Sequence, residues 1–432
     1  MTQQGRPFDV LIVAPVNEGS GETVTARYLA RGLIAAGHRV VLLAAPFATR
    51  FLADEFGERV VQLGLDGPSN VLLWQQALCD VRPHAVVFAD YPLMFWRTGM
   101  VPLAHEPGWK ESLNDLDACL ITLDHFGFAQ REMGMFFGPP HLTNDFHWFD
   151  AIPERMQIML PCPMHEPRAV PGRRGRPFRY WDVPLSIADD ERSAVRERYL
   201  HGTNDLLIFH TVSNWAWKSE QRLGHHFYAN LSDLLVLYLG DVGRRVTVLS
   251  LNSGALLAPS SHPNVNIVNL ATVSPPEMGR LMFSADLVMT ENQISISLGK
   301  AVCGLQPVTA FRNRYRLLEL LERASGRLRE IVLAIENPRP GSIYPFEVYP
   351  TGMGDVLEQI VLYHHSSLPN AFELLEVFGG AETKRALQDL LTDERTRAEL
   401  RARQRVYVER LAGLDEGAAV LAQLVAETES TP

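Results

Sequence analysis

Apolar runs of strand length alternate with helical patterns along most of the chain. Residues 8 to 14 (FDVLIVA) are apolar except for Asp9, as expected for a strand buried on both faces of a parallel sheet. A glycine-containing turn follows, then a helical pattern that ends at Ala36, and a second strand pattern at residues 39 to 44. This stretch predicts one β-α-β unit.

The same alternation continues in two series separated by a proline-rich stretch at residues 161 to 184. Further strands are predicted at residues 59–63, 84–89, 117–123, 157–160, 206–212, 245–250, 265–269, 285–290 and 307–311. From Phe372 onward, charged residues with recurrent Leu and Ala predict helices instead.

The length and the pattern together predict two domains. A chain of 432 residues is too long for a single hydrophobic core. We therefore expect an α/β fold with two Rossmann-like domains facing a cleft. They would lie at residues 1–165 and 201–371, with a Pro/Arg-rich linker at 166–200 and a helical tail at 372–432.

Composition narrows the class of protein. The formal charge of −10 argues against a nucleic-acid partner, and 46% hydrophobic with 21% charged residues is ordinary for a globular enzyme. No leader and no membrane span is predicted, so the cytoplasm is the expected location. The four cysteines lie far apart without CxxC spacing, which predicts reduced thiols and no metal site.

The turn after the first strand is a candidate binding loop. Ligands of open parallel sheets bind at the carboxyl ends of the strands, where Gly19 and Gly21 are expected. A helix that begins near Glu22 directs unpaired N–H groups toward a phosphate, a carboxylate or a developing oxyanion. The spacing is not the dinucleotide fingerprint. The alternative is a glycine turn that only packs the helix on the strand.

Two later strands also end in candidate site residues. Asp124 and His125 follow the strand at 117–123, although a histidine beside an aspartate can equally be a satisfied loop residue. The segment from Ser213 to Ser219 follows the strand at 206–212 and is expected to be the second domain's counterpart of the glycine loop.

Two stretches carry a resemblance to a known family: GSGETVTARYLARGLIAAGHRVVLLA at residues 19–44 and ADLVMTENQISISLGKAVCGLQPVTAF at 285–311. With the two series of β-α units, they resemble the GT-B glycosyltransferases over most of the chain. The resemblance implies an acceptor site near the glycine loop and a nucleotide-sugar donor site in the second half. It implies a nucleotide-sugar co-substrate, with no further cofactor and no metal.

The resemblance also implies roles for individual residues. Glu22 would be the catalytic base, with Asp124 and His125 as the next candidates, and the positive helix end should keep Glu22 ionised and a weaker base than histidine. A role at the helix start alone is the alternative for Glu22. The donor would meet residues that follow the strands of the second domain: Asn214, Lys218, Glu291, Gln293 and Ser295.

The chain departs from the family at two positions of the donor stretch. Gln293 stands where members commonly have a glycine, and Gly299 where a glutamate usually grips the donor ribose; Glu291 is the candidate replacement. Three functions therefore stay open. They are a metal-independent glycosyltransferase with a small-molecule or peptide-borne acceptor, a nucleotide-sugar epimerase or other enzyme on the same scaffold, and a non-catalytic helper with a decayed donor site.

Overall fold

The computed structural model describes residues 7–17, 21–95, 101–104, 106–125, 152–168, 175–223, 226–252, 257–335 and 366–430. These residues divide into two compact units. Unit 1 contains the described residues up to 125, together with 152–181 and 411–430, and unit 2 contains 182–410.

In the described part of unit 1, seven parallel strands form one sheet in the order β3-β2-β1-β4-β5-β6-β7. Its elements are β1 Asp9–Ala14, α1 Gly21–Ala35, β2 Arg39–Ala44, α2 Pro46–Phe56, β3 Val60–Gln62, α3 Gly67–Val81, β4 Ala85–Phe88, α4 Trp109–Asn114, β5 Cys119–Leu123, β6 Gln157–Cys162 and β7 Arg176–Arg179.

The described part of unit 2 has a second parallel sheet, of six strands, in the order β10-β9-β8-β11-β12-β13. Its elements are α5 Asp189–Tyr199, β8 Leu206–Thr211, α6 Asn214–Leu223, α7 Phe227–Leu239, β9 Val246–Leu251, β10 Val265–Leu270, α8 Pro275–Ser284, β11 Leu287–Thr290, α9 Ile296–Cys303, β12 Val308–Arg312, α10 Leu317–Arg323, α11 Gly326–Ile335, β13 Glu373–Glu376, α12 Ala381–Thr392 and α13 Glu394–Ala412.

The apolar runs become the central strands of both sheets, which confirms the predicted class of two Rossmann-like domains. Every residue of β4, β5, β8 and β11 is buried, because helices cover both faces of each sheet. In unit 2 alternate residues of β8 enter two separate cores, with Ile208 packing toward α6 and α7 and Phe209 toward α8 and α9.

The end of the chain returns to the first unit. Helix α14 (Gly417–Glu429) packs on α1 and on the β5–β7 side of the unit 1 sheet, with Leu421 and Leu424 fully buried. A Cβ on Gly417 would lie 2.9 Å from Phe178 of β7. The predicted helical C-terminal region is present, and its described residues divide between the units: those up to 410 belong to unit 2, and 411–430 complete unit 1.

Three predicted features differ in detail from the structure. The predicted linker, 166–200, contains β7 and α5, and the segment predicted as helical from Phe372 opens with β13. Both strands lie at sheet edges, where half-exposed charged residues hide the strand pattern. The predicted loop at 213–219 is mostly helix, since α6 begins at Asn214.

Candidate functional site

Polar residues gather where β1, β4 and β5 of unit 1 end. Asp90 comes two residues after β4, and Asp124 and His125 directly follow β5, while Glu22 lies in the first turn of the helix after β1. All four are buried. Because the chain leaves β1 toward β2 on one side and later crosses to β4 on the other, this is the topological switch point, where ligands of such sheets bind.

His125 joins two of these elements. Its Nε2 lies 2.9 Å from Thr25 Oγ1, and its Nδ1 lies 3.7 Å from Asp90 Oδ2. Thr25 donates its hydroxyl proton to the Gly21 carbonyl at 3.2 Å, so its oxygen accepts from Nε2–H. In the neutral ring Nδ1 is then the basic atom, and a proton added there is stabilised by the Asp90 carboxylate.

Burial shifts the pKa values of Glu22 and His125 in opposite directions. Desolvation raises the pKa of Glu22; the charge of His125 opposes this shift and that of Asp90 adds to it. Desolvation lowers the pKa of His125, against the charges of Glu22 and Asp124. The helix end is expected to favour the ionised form of Glu22; desolvation instead shifts the pKa of Glu22 upward, against the lowering effects of His125 and of its own backbone hydrogen bond. The Glu22 carboxylate is consequently a stronger base than an exposed one.

The other predicted residues of this unit take different positions. Gly21 is the first residue of α1, whereas Gly19 lies outside the described residues. Asp124 is held through its backbone, whose N–H donates to Met159 O at 3.0 Å and whose carbonyl bonds to His165 Nε2. Its charge nevertheless acts on His125.

Sequence reasoning missed Asp90, although a signal was present. The residue stands directly after the run AVVFA, as Asp124 stands after its own strand. Polar residues that follow neighbouring parallel strands meet at one edge of the sheet. Comparing all strand ends, rather than those with a histidine or a glycine, identifies Asp90.

A second polar group lies at the carboxyl ends of β9, β8 and β11 in unit 2. His210 Nε2 lies 2.6 Å from Glu291 Oε1, and His210 Nδ1 lies 3.0 Å from Ser250 Oγ. Asn252 Nδ2 donates to Ser250 Oγ at 3.4 Å. The prediction included Glu291 but not His210, Ser250 or Asn252. The last three lie within or just after strands whose other residues are mostly apolar, so the pattern gave no sign of a polar site there.

The remaining donor-site candidates also lie near strand ends of unit 2. Ser295 is the N-cap of α9, where its side chain accepts from Ser297 N–H at 3.2 Å, and Gln293 is buried in the preceding turn. Asn214 is the first residue of α6, and Lys218 lies one turn further along this helix, half-buried. The N-termini of α6 and α9 thus follow adjacent strands, β8 and β11.

Helix α6 also carries a buried carboxylate that predicts a pH-dependent stability. Both oxygens of Glu220 accept from Tyr228 N–H in the first turn of α7, at 3.2 and 2.9 Å. Burial raises the pKa of Glu220 from 4.5 to about 7. The folded protein then keeps a proton that the unfolded chain releases between these values, so the free energy of unfolding falls as pH rises through this window.

Glu220→Gln should therefore flatten the pH dependence of stability. We expect the wild type to lose up to about 3 kcal/mol between pH 5 and pH 8 from this group, and the variant to lose none of it. Urea unfolding at the two pH values measures the difference, with the surface variant Glu277→Gln as control. A variant that keeps the wild-type slope would contradict the expectation.

Two further observations concern the described residues only. Within them, no three His, Cys, Asp or Glu side chains are grouped as ligands of a metal ion. None of the helices resolved in these ranges combines the length and the apolar composition needed to cross a membrane.

Solved structures similar to this one are glycosyltransferases. The spinosyn forosaminyltransferase SpnP is 13% identical, with 98% of this chain and 100% of that chain covered and a TM-score of 0.53. Arabidopsis thaliana UGT89C1 complexed with quercetin is 12% identical (98% and 99% covered, TM-score 0.55), and VinC in complex with dTDP is 14% identical (97% and 99% covered, TM-score 0.51).

These likenesses show that the fold is that of the GT-B glycosyltransferases, in a divergent form. No curated protein matches the chain by sequence. The chain belongs to the DUF6365 family, a family of unknown function, which it matches over residues 29–429.

Proposed function

We propose that the protein is a metal-independent glycosyltransferase that moves a sugar from a nucleotide-sugar donor to a small-molecule or peptide-borne acceptor. The observation that carries the proposal is the buried group of Glu22, Asp90 and His125 at the switch point of the unit 1 sheet, in a GT-B fold. Perturbed titratable groups in such a position are typical of active sites.

Glu22 is the proposed base. It takes the proton from the acceptor's hydroxyl or amine as the bond to the sugar forms, and the raised pKa that burial gives it strengthens it for this step. The charges of His125 and Glu22 act on each other, and the Asp90 carboxylate lies beside His125 Nδ1. Each of Glu22 and His125 thus shifts the pKa of the other.

Unit 2 is proposed to hold the donor. Backbone N–H groups at the start of α9, the Ser295 side chain and Lys218 would stabilise the departing diphosphate, as positive groups do without a metal. Asn214, Glu291 and Gln293 are proposed to contact the rest of the donor. Complexes of the similar structures UGT89C1 and VinC contain UDP and dTDP, which supports a nucleotide ligand here.

A pair of variants at the α9 N-cap tests the diphosphate position. Ser295→Asn and Ser295→Asp both keep a good helix cap, but only the aspartate adds a negative charge. We expect Ser295→Asp and Lys218→Ala to weaken UDP or dTDP binding at least tenfold, and Ser295→Asn to bind nearly as the wild type does. Calorimetric titration measures these affinities. Wild-type affinity in all three variants would exclude this position for the diphosphate.

Turnover assays separate this function from the two alternatives. A glycosyltransferase consumes the nucleotide sugar faster when an acceptor is present, whereas an epimerase converts it without one. A helper protein would bind no donor or leave it unchanged. Assays with and without a panel of hydroxyl and amine acceptors therefore distinguish all three.

A further inference from the structure

The polar group of unit 2 is a continuous row on one face of the sheet. Along β8, Leu206 and Ile208 are core residues, and the next residue on the same face is His210. On β9 the apolar positions are followed by Ser250, which is directly opposite His210 in the register, and then by Asn252. On β11 the same series ends in Glu291. Three adjacent strands thus change from apolar to polar on one face.

The hydrogen bonds along this row run in one direction. Asn252 Nδ2–H donates to Ser250 Oγ. Since a carboxylate only accepts, His210 Nε2–H donates to Glu291 Oε1, and in that tautomer His210 Nδ1 accepts from the Ser250 hydroxyl. This order satisfies every proton of the neutral imidazole and of the serine. The carboxylate of Glu291 is its final acceptor.

The row leaves acceptors without donors. Glu291 is 4% exposed and Asn252 is 6% exposed. Within the described ranges, neither Glu291 Oε2 nor Asn252 Oδ1 has a hydrogen-bond partner. A buried carboxylate oxygen without a donor is costly, since the desolvation of a charged group is not repaid. Both oxygens require a group that donates an N–H or O–H bond.

We propose that His210 is a positioning residue that holds Glu291 so that Glu291 Oε2 accepts a hydrogen bond from a hydroxyl or amine group of the substrate. The inference deepens the proposed function and rests on it for the nature of that substrate. The proposal assigns different chemical groups of the donor to different residues. Lys218 and the α9 N-terminus suit the phosphates, whereas Glu291 suits a neutral or cationic donor group, because a carboxylate repels a phosphate.

Glu291→Gln tests the chemistry of the bound group. His210 can still donate to the amide oxygen, but an N–H then replaces Oε2 and offers a donor where the wild type offers an acceptor. We expect affinity for a hydroxyl-bearing probe, UDP or UDP-glucose, to fall about 10- to 100-fold. Affinity for inorganic pyrophosphate should stay the same or rise, because a negative charge is removed.

The probes also identify which part of the ligand donates. If Glu291→Gln already weakens the binding of UDP, the group that donates to Glu291 belongs to the nucleoside. If the variant binds UDP as the wild type does and weakens only the binding of UDP-glucose, the group belongs to the sugar. Tighter binding of all probes by Glu291→Gln would place the phosphates at Glu291, and unchanged binding of all probes would show that Glu291 contacts none of them; either result overturns the inference.

Variants of His210 and Ser250 test the positioning role. His210→Gln keeps a donor for Glu291 and should bind UDP-glucose within a few-fold of the wild type, whereas His210→Phe fills the space without a donor and should lose about tenfold in affinity for UDP-glucose. Ser250→Ala removes the hydroxyl behind the ring and should lose a few-fold. Thr247→Val removes a buried hydroxyl from the same strand, one that donates to Tyr199 O on the other face, and is the matched control. Equal binding by His210→Phe and the wild type would show a merely structural role.

Free uridine and glucosamine separate this inference from the proposed function. If the wild type binds either of them through Glu291 but binds no nucleotide diphosphate, the inference stands and the proposed function fails. If nucleotides bind normally to every variant of the row, the proposed function stands and the inference fails. If the wild type binds no probe of either class, both are overturned.

Discussion

Glu22→Gln should lower turnover by about 10²–10⁴-fold while leaving affinity for the donor within a few-fold of the wild type. The substitution keeps the shape of a side chain that is 8% exposed and removes its capacity to accept a proton. The loss should be largest for the least acidic acceptors, because these depend most on a base. Steady-state kinetics with acceptors of graded acidity, together with direct titration of the donor, measures both parts.

The pH profile provides a second readout of the same group. The base must be ionised, so kcat/KM should fall as pH decreases through the pKa of Glu22, which burial holds above 4.5. The charge of Asp90 raises this pKa, and Asp90→Asn should therefore shift the acidic limb to lower pH. Glu55→Gln, which removes a carboxylate paired with Arg27 and Arg31 of α1, is the control and should leave the limb unchanged. Turnover of Glu22→Gln within a few-fold of the wild type would transfer the base role to His125 or Asp124.

Leu421→Ala should destabilise unit 1 by about 2–5 kcal/mol, although the residue lies near the end of the chain. Leu421 is fully buried in the contact of α14 with α1 and the sheet, so the substitution leaves a cavity. A loss of this size is a large share of the 5–15 kcal/mol that stabilises a typical domain. Hydrogen exchange should show faster opening of β1 and β5, with β8 and β11 unaffected.

The control for this experiment is Val406→Ala in α13, a truncation of an apolar residue that is 52% exposed. It should change the free energy of unfolding by less than about 0.5 kcal/mol. If Leu421→Ala speeds exchange only within 417–429, α14 opens by itself and does not stabilise the sheet.

The sequence predicts the central strands because burial on both faces of a parallel sheet requires an unbroken apolar run, as in β1 and β8. It does not reveal β7 or β13, since an edge strand is held by backbone hydrogen bonds to one neighbour and its side chains are free to be charged. The apolar stripe of α14 indicates that the helix is buried, but the pattern does not show which elements the helix packs against. Only the fold shows that this partner is unit 1.

Some residues of the candidate site could likewise be predicted from the sequence, and others could not. Glu22 and His125 stand beside recognisable signals, a glycine turn and the end of a strand. Asp90 and His210 act through neighbours that are 35 to 81 residues away in the chain, and such pairings exist only once the strand order is known. The pKa shifts of Glu22 and His125 depend on burial, which the sequence gives only approximately.

The return of α14 to unit 1 sets an order of events during synthesis. The ribosome completes β1 to β7 early, but the helix that covers part of this sheet emerges only after residues 182–410. At about 5–20 residues per second, synthesis of residues 182–410 leaves this sheet without α14 for on the order of 10 to 50 s. A premature stop after residue 410 therefore removes α14 from unit 1, the unit that contains Glu22. Unit 2, which lies nearest the stop in sequence, keeps residues 182–410.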